Sequence, residues 1–155
     1  ILRDLEILKR YRDFIDIGIT ITSTSNSSLI KLLEPFSSPP TARIEALKRL
    51  SIEGIKTWIF YGPVIPGYND SIEELLKIIS LAKETKSMLY IDKLRIKRFM
   101  WNDKHLRQIA QMSIKYNWEK FYENILRLCR DEGIICRLGF EYSEEDKKLD
   151  KYIKK

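Results

Sequence analysis

Cysteine and histidine are nearly missing from these 155 residues: Cys129, Cys136 and His105 are all there is of either. Two thiols exclude a disulfide framework and a four-thiolate metal site. One imidazole removes the common zinc ligand sets as well. No run of 18 apolar residues occurs, so no segment reads as a spanning helix and no membrane role is expected. A charged-then-apolar signal segment is also missing, as are internal repeats and low-complexity stretches. Neither G-x-G-x-x-G after a strand nor G-x-x-x-x-G-K-[ST] occurs, which removes the two common phosphate-cradling loops.

What remains describes a globular protein. Hydrophobic residues make up 44% and charged ones 32%, outside the disordered range. One domain of this size hides roughly 70% of the surface that its unfolded chain exposes, so a core is possible without staples. Lys and Arg number 28 against 22 Asp and Glu, a net charge of +6. That excess is compatible with an acidic partner but too modest to require one. A cytoplasmic location is expected. The chain opens Ile1-Leu2-Arg3-Asp4, with Leu2, Leu5, Ile7 and Leu8 already on one helical face, and so reads as a segment of a longer chain.

Periodicity gives the order of elements. A helix is expected from Leu2 to Tyr11. A strand follows from Ile15 to Thr22, with Ile15, Ile17, Ile19 and Ile21 on one side and Asp16, Gly18, Thr20 and Thr22 on the other. A short helix over Leu29–Glu34 is stopped by Pro35, and Thr41 is placed to cap the next one, Ala42–Glu53, with Gly54 beyond its end. Ile55 to Tyr61 reads as a strand covered on both faces, and Gly62 to Asp70 as a loop. A helix over Ile72–Lys83 buries Leu75, Leu76, Ile78 and Ile79, and a third strand spans Met88–Ile96. Residues 103–132 form two helical pieces meeting near Asn117, and Gly133 precedes a last strand, Ile134–Phe140. The tail from Glu141 is charged, helical or frayed. The strands are separated by helical crossovers of the length that parallel strands require. The fold class is α/β, a partial (β/α) barrel rather than a complete Rossmann unit.

Ligands of parallel α/β sheets gather at the carboxyl ends of the strands, and three candidate features collect there. The hydroxyl cluster Thr20, Thr22, Ser23 and Thr24 suits a sugar hydroxyl or a carboxylate; its alternative task is to satisfy a turn and cap a helix. Gly62-Pro63-Val64-Ile65-Pro66-Gly67 is either an ordinary turn or a rigid loop whose backbone reads the edge of a flat ring while Val64 and Ile65 cover its face. Lys93-Leu94-Arg95-Ile96-Lys97-Arg98 is either a solvated edge or an anion site. Arg43 stands in the first turn of its helix, where it opposes the macrodipole. Its natural partner is a ligand anion, or else Glu34 or Glu45. Cys129 and Cys136, with six residues between them, read as buried structural thiols. His105 reads as surface. Trp101, Trp118, Phe121 and Tyr122 read as packing for the last pair of helices.

Several of these segments together resemble a known family. Ile1-Leu2-Arg3-Asp4-Leu5, Gly18-Ile19-Thr20-Ile21-Thr22, Leu33-Glu34-Pro35, Pro39 through Arg43 to Leu47, Gly54-Ile55 and Pro63-Val64-Ile65-Pro66-Gly67-Tyr68-Asn69-Asp70 are similar to the second half of the radical SAM barrel. The branch they resemble is that of spore photoproduct lyase and the related DNA repair photolyase-like proteins. The likeness covers residues 1–97, which it makes the C-terminal half of a (β/α)6-type barrel. Residues 98–155 form a helical extension with a final strand and a charged tail.

The resemblance implies S-adenosylmethionine and a [4Fe–4S] cluster as cofactors. In the family a C-x-x-x-C-x-x-C loop binds that cluster, and the pair yields a 5′-deoxyadenosyl radical. C-x6-C cannot serve as that loop, since such clusters need three or four thiolates. The cluster ligands are therefore expected outside this chain, no metal or catalytic residue within it, and no radical chemistry from it alone. By the same likeness Thr20, Thr22 and Ser23 fall where ribose or methionyl-carboxylate contacts lie, and Arg43 where a carboxylate-pairing arginine lies. Gly62, Val64, Ile65 and Gly67 resemble the segment packed on adenine, and Leu94 and Arg95 a leucine–arginine pair on the far side. The loop carries one residue more than the family's G-x-I-x-G form, and Asp70 replaces a usual Glu. Expected partners are the missing N-terminal half-barrel or a second copy, and DNA or another nucleic acid. The alternative function is a non-catalytic basic α/β module for nucleic acid or phosphate ligands, with Lys93–Arg98 and the tail Lys147–Lys155 as its contact surface; a barrel fragment with phosphate sites and no redox chemistry is the third.

Overall fold

The computed structural model describes residues 1–26, 31 and 33–139. A 3-10 turn at Leu2–Asp4 leads into α1, Leu5–Arg10, and then β1, Asp16–Thr20. Next come α2, Pro40–Ile52, β2, Lys56–Val64, α3, Ile72–Glu84, and β3, Met88–Lys93. A 3-10 turn at Arg98–Asn102, α4, Lys104–Lys115, α5, Trp118–Asp131, and β4, Cys136–Leu138, complete the order. The four strands form one parallel sheet in the order β1-β2-β3-β4.

Alternation along the strands explains how the layers form. Ile17, Ile19, Ile59, Tyr61, Leu89 and Ile91 are buried on one face. Against them pack Leu47 and Leu50 of α2, Leu75, Ile78 and Ile79 of α3, and Phe121, Ile125 and Cys129 of α5, all in one apolar cluster that α1 joins through Leu5 and Leu8. The crossover helices thus share a single face. A doubly wound sheet puts helices on both; a singly wound one curls toward a barrel, with its bare face inward. This is a partial (β/α) barrel, as expected. The bare face runs in rows from the amino to the carboxyl end: Asp16 and Lys56, then Gly18, Trp58 and Met88, then Thr20, Phe60, Tyr90 and Arg137.

Several boundaries differ from those expected. The loop assigned to Gly62–Asp70 begins three residues later, because β2 continues through Gly62, Pro63 and Val64. The Gly62–Pro63 bond is cis, and the β2–β3 register shifts between Tyr61 and Val64. β3 stops at Lys93, so the alternating Leu94-Arg95-Ile96 lies beyond the sheet. Leu94 and Ile96 pack instead beside Ile65, Met100, Ile109 and Ala110, a second cluster at the carboxyl rim. Helix α2 starts at Pro40, not behind a Thr41 cap; a proline in the first turn has no N–H to satisfy. Leu76, expected inside, is 44% exposed. Trp101 stays in its 3-10 turn, whereas Tyr116, Trp118, Phe121 and Tyr122 stack edge to face. Cys129 and Cys136, expected as separate thiols, form a disulfide. Gly133, at φ +70°, turns the chain back so that their Cα atoms stand 6.2 Å apart, within bonding range. Gly54, at φ +74°, ends α2 as expected, and Asn117 caps α5 by accepting from Lys120 N–H. Of the expected Leu29–Glu34 helix, residues 29, 30 and 32 fall outside the described residues, as do Phe140 and the tail.

Candidate functional site

The carboxyl ends of β1 and β2 meet at a buried polar knot. Thr22, past the end of β1, is 1% exposed. Its hydroxyl donates to Glu34 and lies 3.4 Å from the Gly62 carbonyl. Asn69 ties the second strand to the first: its Nδ2 donates to Thr22 O at 2.7 Å and Pro63 O at 3.1 Å. Its Oδ1 accepts from Ile65 N–H at 2.6 Å, and its carbonyl accepts from the Tyr61 hydroxyl. Burial, then the Glu74 and Asp70 charges, push the Tyr61 phenol well above its ordinary range, which keeps it neutral and donating. Thr24 bonds Glu74 through both its N–H and its hydroxyl, pinning the segment after β1 onto the start of α3.

Arg43 reaches this knot from the first turn of α2. Its Nη2 pairs with Glu34, its Nη1 donates to Thr20 O at 3.1 Å, and its Nε donates to Ser38 O at 2.8 Å. Of its two expected partners on this chain, Glu34 holds it and Glu45 does not. A guanidinium carries five N–H donors, so these bonds leave two. A hollow of about 460 Å³ opens beside it, lined among others by Asn26, Lys31, Glu34, Pro39 and Arg43. Arg43, Lys31 and Asn26 form a donor set suited to a carboxylate, with the Glu34 carboxylate as an acceptor for hydroxyls.

The expected site residues fall into two groups. Thr20, Thr22, Arg43 and Gly62 meet directly in the knot, while Ser23, 7% exposed, accepts from Ser25 N–H at 3.2 Å. Val64 is fully buried in the main core, and Ile65 in the rim cluster beside Leu94, whose N–H donates to Val64 O at 3.0 Å. Neither Val64 nor Ile65 lines the hollow beside Arg43. Gly67, at φ +77°, closes a turn in which its N–H donates to Asp70 Oδ1 at 2.7 Å. Arg95 is solvent-facing and bonded to Asp92 at 3.2 Å. Glu34 was expected as a partner of Arg43, and Asn69 only as a member of the Pro63–Asp70 motif; the bonds from Thr22 to Glu34 and from Asn69 to Thr22, which join segments far apart in the chain, were not expected. Hydrogen bonds between distant segments leave no local pattern to read.

No buried side-chain polar atom among the described residues lacks a partner, so the knot is complete by itself. Nor do the described residues offer any group of His, Cys, Asp and Glu able to hold a metal ion. With Cys129 and Cys136 bonded to each other, a [4Fe–4S] cluster does not fit on them. Among the described residues, no helix is long and apolar enough to cross a membrane.

No protein-family model matches the chain. An uncharacterised protein of Methanocaldococcus jannaschii is 35% identical over 154 residues, which are 99% of this chain and 52% of that protein. An uncharacterised protein of Acidianus two-tailed virus is 27% identical over 81 residues, 51% of this chain and 27% of that one. The chain thus spans about half the length of the first relative and less of the second. Among solved structures, a domain of pyruvate-formate lyase-activating enzyme from Bacteroides vulgatus superposes with a TM-score of 0.57. The superposition covers 88% of this chain and 73% of that domain at 11% identity. The fold is that domain's fold. At so low an identity the likeness extends to architecture and no further.

Proposed function

We propose that this chain forms the C-terminal half of a radical SAM barrel and that the carboxyl rim of β1 and β2 contacts S-adenosylmethionine. The observation that carries the reading is Arg43: a helix arginine drawn to the end of β1, beside a hollow furnished with donors for a carboxylate. Support comes from the fold, shared with a domain of an enzyme of the radical SAM superfamily, and from the motifs of residues 1–97. When bound, the cofactor would supply a reactive adenosyl group only beside a reducing cluster, whose ligands lie outside this chain. The chain's own residues would bind and orient. Arg43 and Lys31 would face the methionyl carboxylate, and Glu34 the ribose hydroxyls. Asn69 would fix the distance between the two strand ends, while the backbone from Gly62 to Gly67 would border the adenine.

The narrower likeness to the spore photoproduct lyase branch rests on sequence motifs alone, and it makes nucleic acid the substrate class to try first. The bare β1 edge is where a preceding half-barrel, or a second copy, would pair. The test is the affinity of the Arg43→Ala protein for S-adenosylmethionine, read beside its melting temperature. Binding should fall about tenfold, the loss of a charge-assisted bond, with a smaller proportionate change in melting. Equal affinity in variant and parent removes the assignment.

A second reading, a basic nucleic-acid-binding module, is favoured by residues 93–107. There Arg95, Arg98 and Lys104 stand with the exposed Phe99 and Trp101 past the end of β3. DNA affinity that does not change with salt concentration would remove that reading, since phosphate contacts release counterions.

A further inference from the structure

At the opposite, amino end of the strands lies a hollow of about 590 Å³ that the proposed cofactor rim does not use. Its aromatic floor comes from Trp58 and Tyr90, ring centroids 5.2 Å apart at 70°. A Cβ on Gly18 would lie 2.1, 2.3 and 2.4 Å from three atoms of the six-membered indole ring. Such near-equal distances put that point above the ring's face, not beyond its rim. The indole therefore lies flat across β1, seated on the one residue type without a side chain. One face rests on the sheet; the other faces the hollow.

The rim is charged. Lys56, Lys83 and Lys86 line it with Asp16 and Glu132. Lys83 is bonded to Glu132 at 2.8 Å, and Lys56 stands across the β1–β2 ladder from Asp16. Lys86, at φ +52°, has no ion-pair partner among the described residues. The balance is one surplus cation above an aromatic floor. A flat apolar base with few charged groups at its edge is the usual form of a small-molecule site. Lysines attract phosphate as compact point charges, whereas planar carboxylates favour arginine.

The geometry points to a second ligand site here, for a flat aromatic phosphate: the ring stacks on the free face of Trp58, edged by Tyr90, and the phosphate meets Lys86 and Lys56. It stands apart from the cofactor reading, since none of its residues belongs to the Thr22–Glu34–Arg43 knot. The probe is 1-naphthyl phosphate, compared with 1-naphthol and inorganic phosphate by titration calorimetry on the full chain. The parent should bind 1-naphthyl phosphate about tenfold more tightly than either fragment. The double variant Lys56→Gln/Lys86→Gln should lose that margin while binding 1-naphthol as the parent does and melting at the parent's temperature. Trp58→Leu, if folded, should weaken 1-naphthyl phosphate and 1-naphthol alike; should it fail to fold, the lysine variant decides. Arg43→Ala should leave the margin for 1-naphthyl phosphate as it is in the parent. No margin in the parent, a margin that survives the lysine change, or a margin lost with Arg43→Ala would each overturn the site. None of these outcomes bears on whether S-adenosylmethionine binds the other end.

Discussion

Across the sheet, Ile19, Ile59, Leu89 and Cys136 are register partners on the helix-covered face. One position further along, the bare face sets Thr20, Phe60, Tyr90 and Arg137 side by side. The first row is aliphatic and sulfur, closed by α2, α3 and α5. The second is hydroxyl, aromatic and charge. Burying branched aliphatic groups contributes about 1.5–3 kcal/mol per side chain. Half-buried aromatics contribute less and keep a surface on which a ligand can rest. One face holds the fold; the other carries the proposed second ligand site.

Adjacent positions in β3 test that division most strongly. Ile91 is fully buried on the covered face, whereas its neighbour Tyr90 is half-buried on the bare one. Ile91→Ala should cost about 2–5 kcal/mol in denaturant unfolding. Tyr90→Ala should cost no more than half as much, its main loss being one aromatic pair. Equal costs would mean that the bare face is as structural as the covered one.

The disulfide sharpens the comparison at its weakest strand. β4 has three residues and is joined to α5 by Cys129–Cys136. Removing so short a crosslink by Cys129→Ser should lower stability by about 2.5 kcal/mol on the chain-entropy view. Amide exchange should accelerate first at Leu138 and Gly139. An unchanged melting curve under a strong dithiol would show that packing alone holds β4.

Gly18 and Trp58 give the smallest and most specific effect. Gly18→Ala puts a methyl group into the indole and should cost about 1–3 kcal/mol. In a Trp58→Ala background the same change should cost almost nothing. A cost that persists there would locate the conflict in the β1 backbone rather than in the ring.

Much of this was legible in the sequence, and what escaped did so for physical reasons. The alternation of Ile17 and Ile19 with Gly18 and Thr20 marks β1 and its buried side, because a pleated strand sorts residues by parity. Gly54 and Gly133 mark helix ends because only they take positive φ there at little cost. The continuation of β2 through Gly62-Pro63-Val64 carries the residue types of a turn, and only its pairing with β3 makes it strand. Leu94-Arg95-Ile96 alternates like a strand but leaves the sheet, since Ile65 and Met100 offer its apolar side chains a separate cluster. At the candidate site, the expected residues around β1 and β2 come together and Glu34 pairs with Arg43, one of the partners read from the sequence, but the bonds Thr22–Glu34 and Asn69–Thr22 cross intervals that no motif spans. The flat seat of Trp58 on Gly18 likewise depends on strand register, which composition does not reveal.

The most direct measurement of the central claim is backbone hydrogen exchange of the full chain with and without S-adenosylmethionine. The expected result is slowed exchange at Thr22–Asn26 and Gly62–Gly67, the two strand ends joined by Asn69, with Lys56–Trp58 at the amino end unchanged. Exchange that is unaltered by saturating cofactor, or slowed only around Trp58, would contradict it.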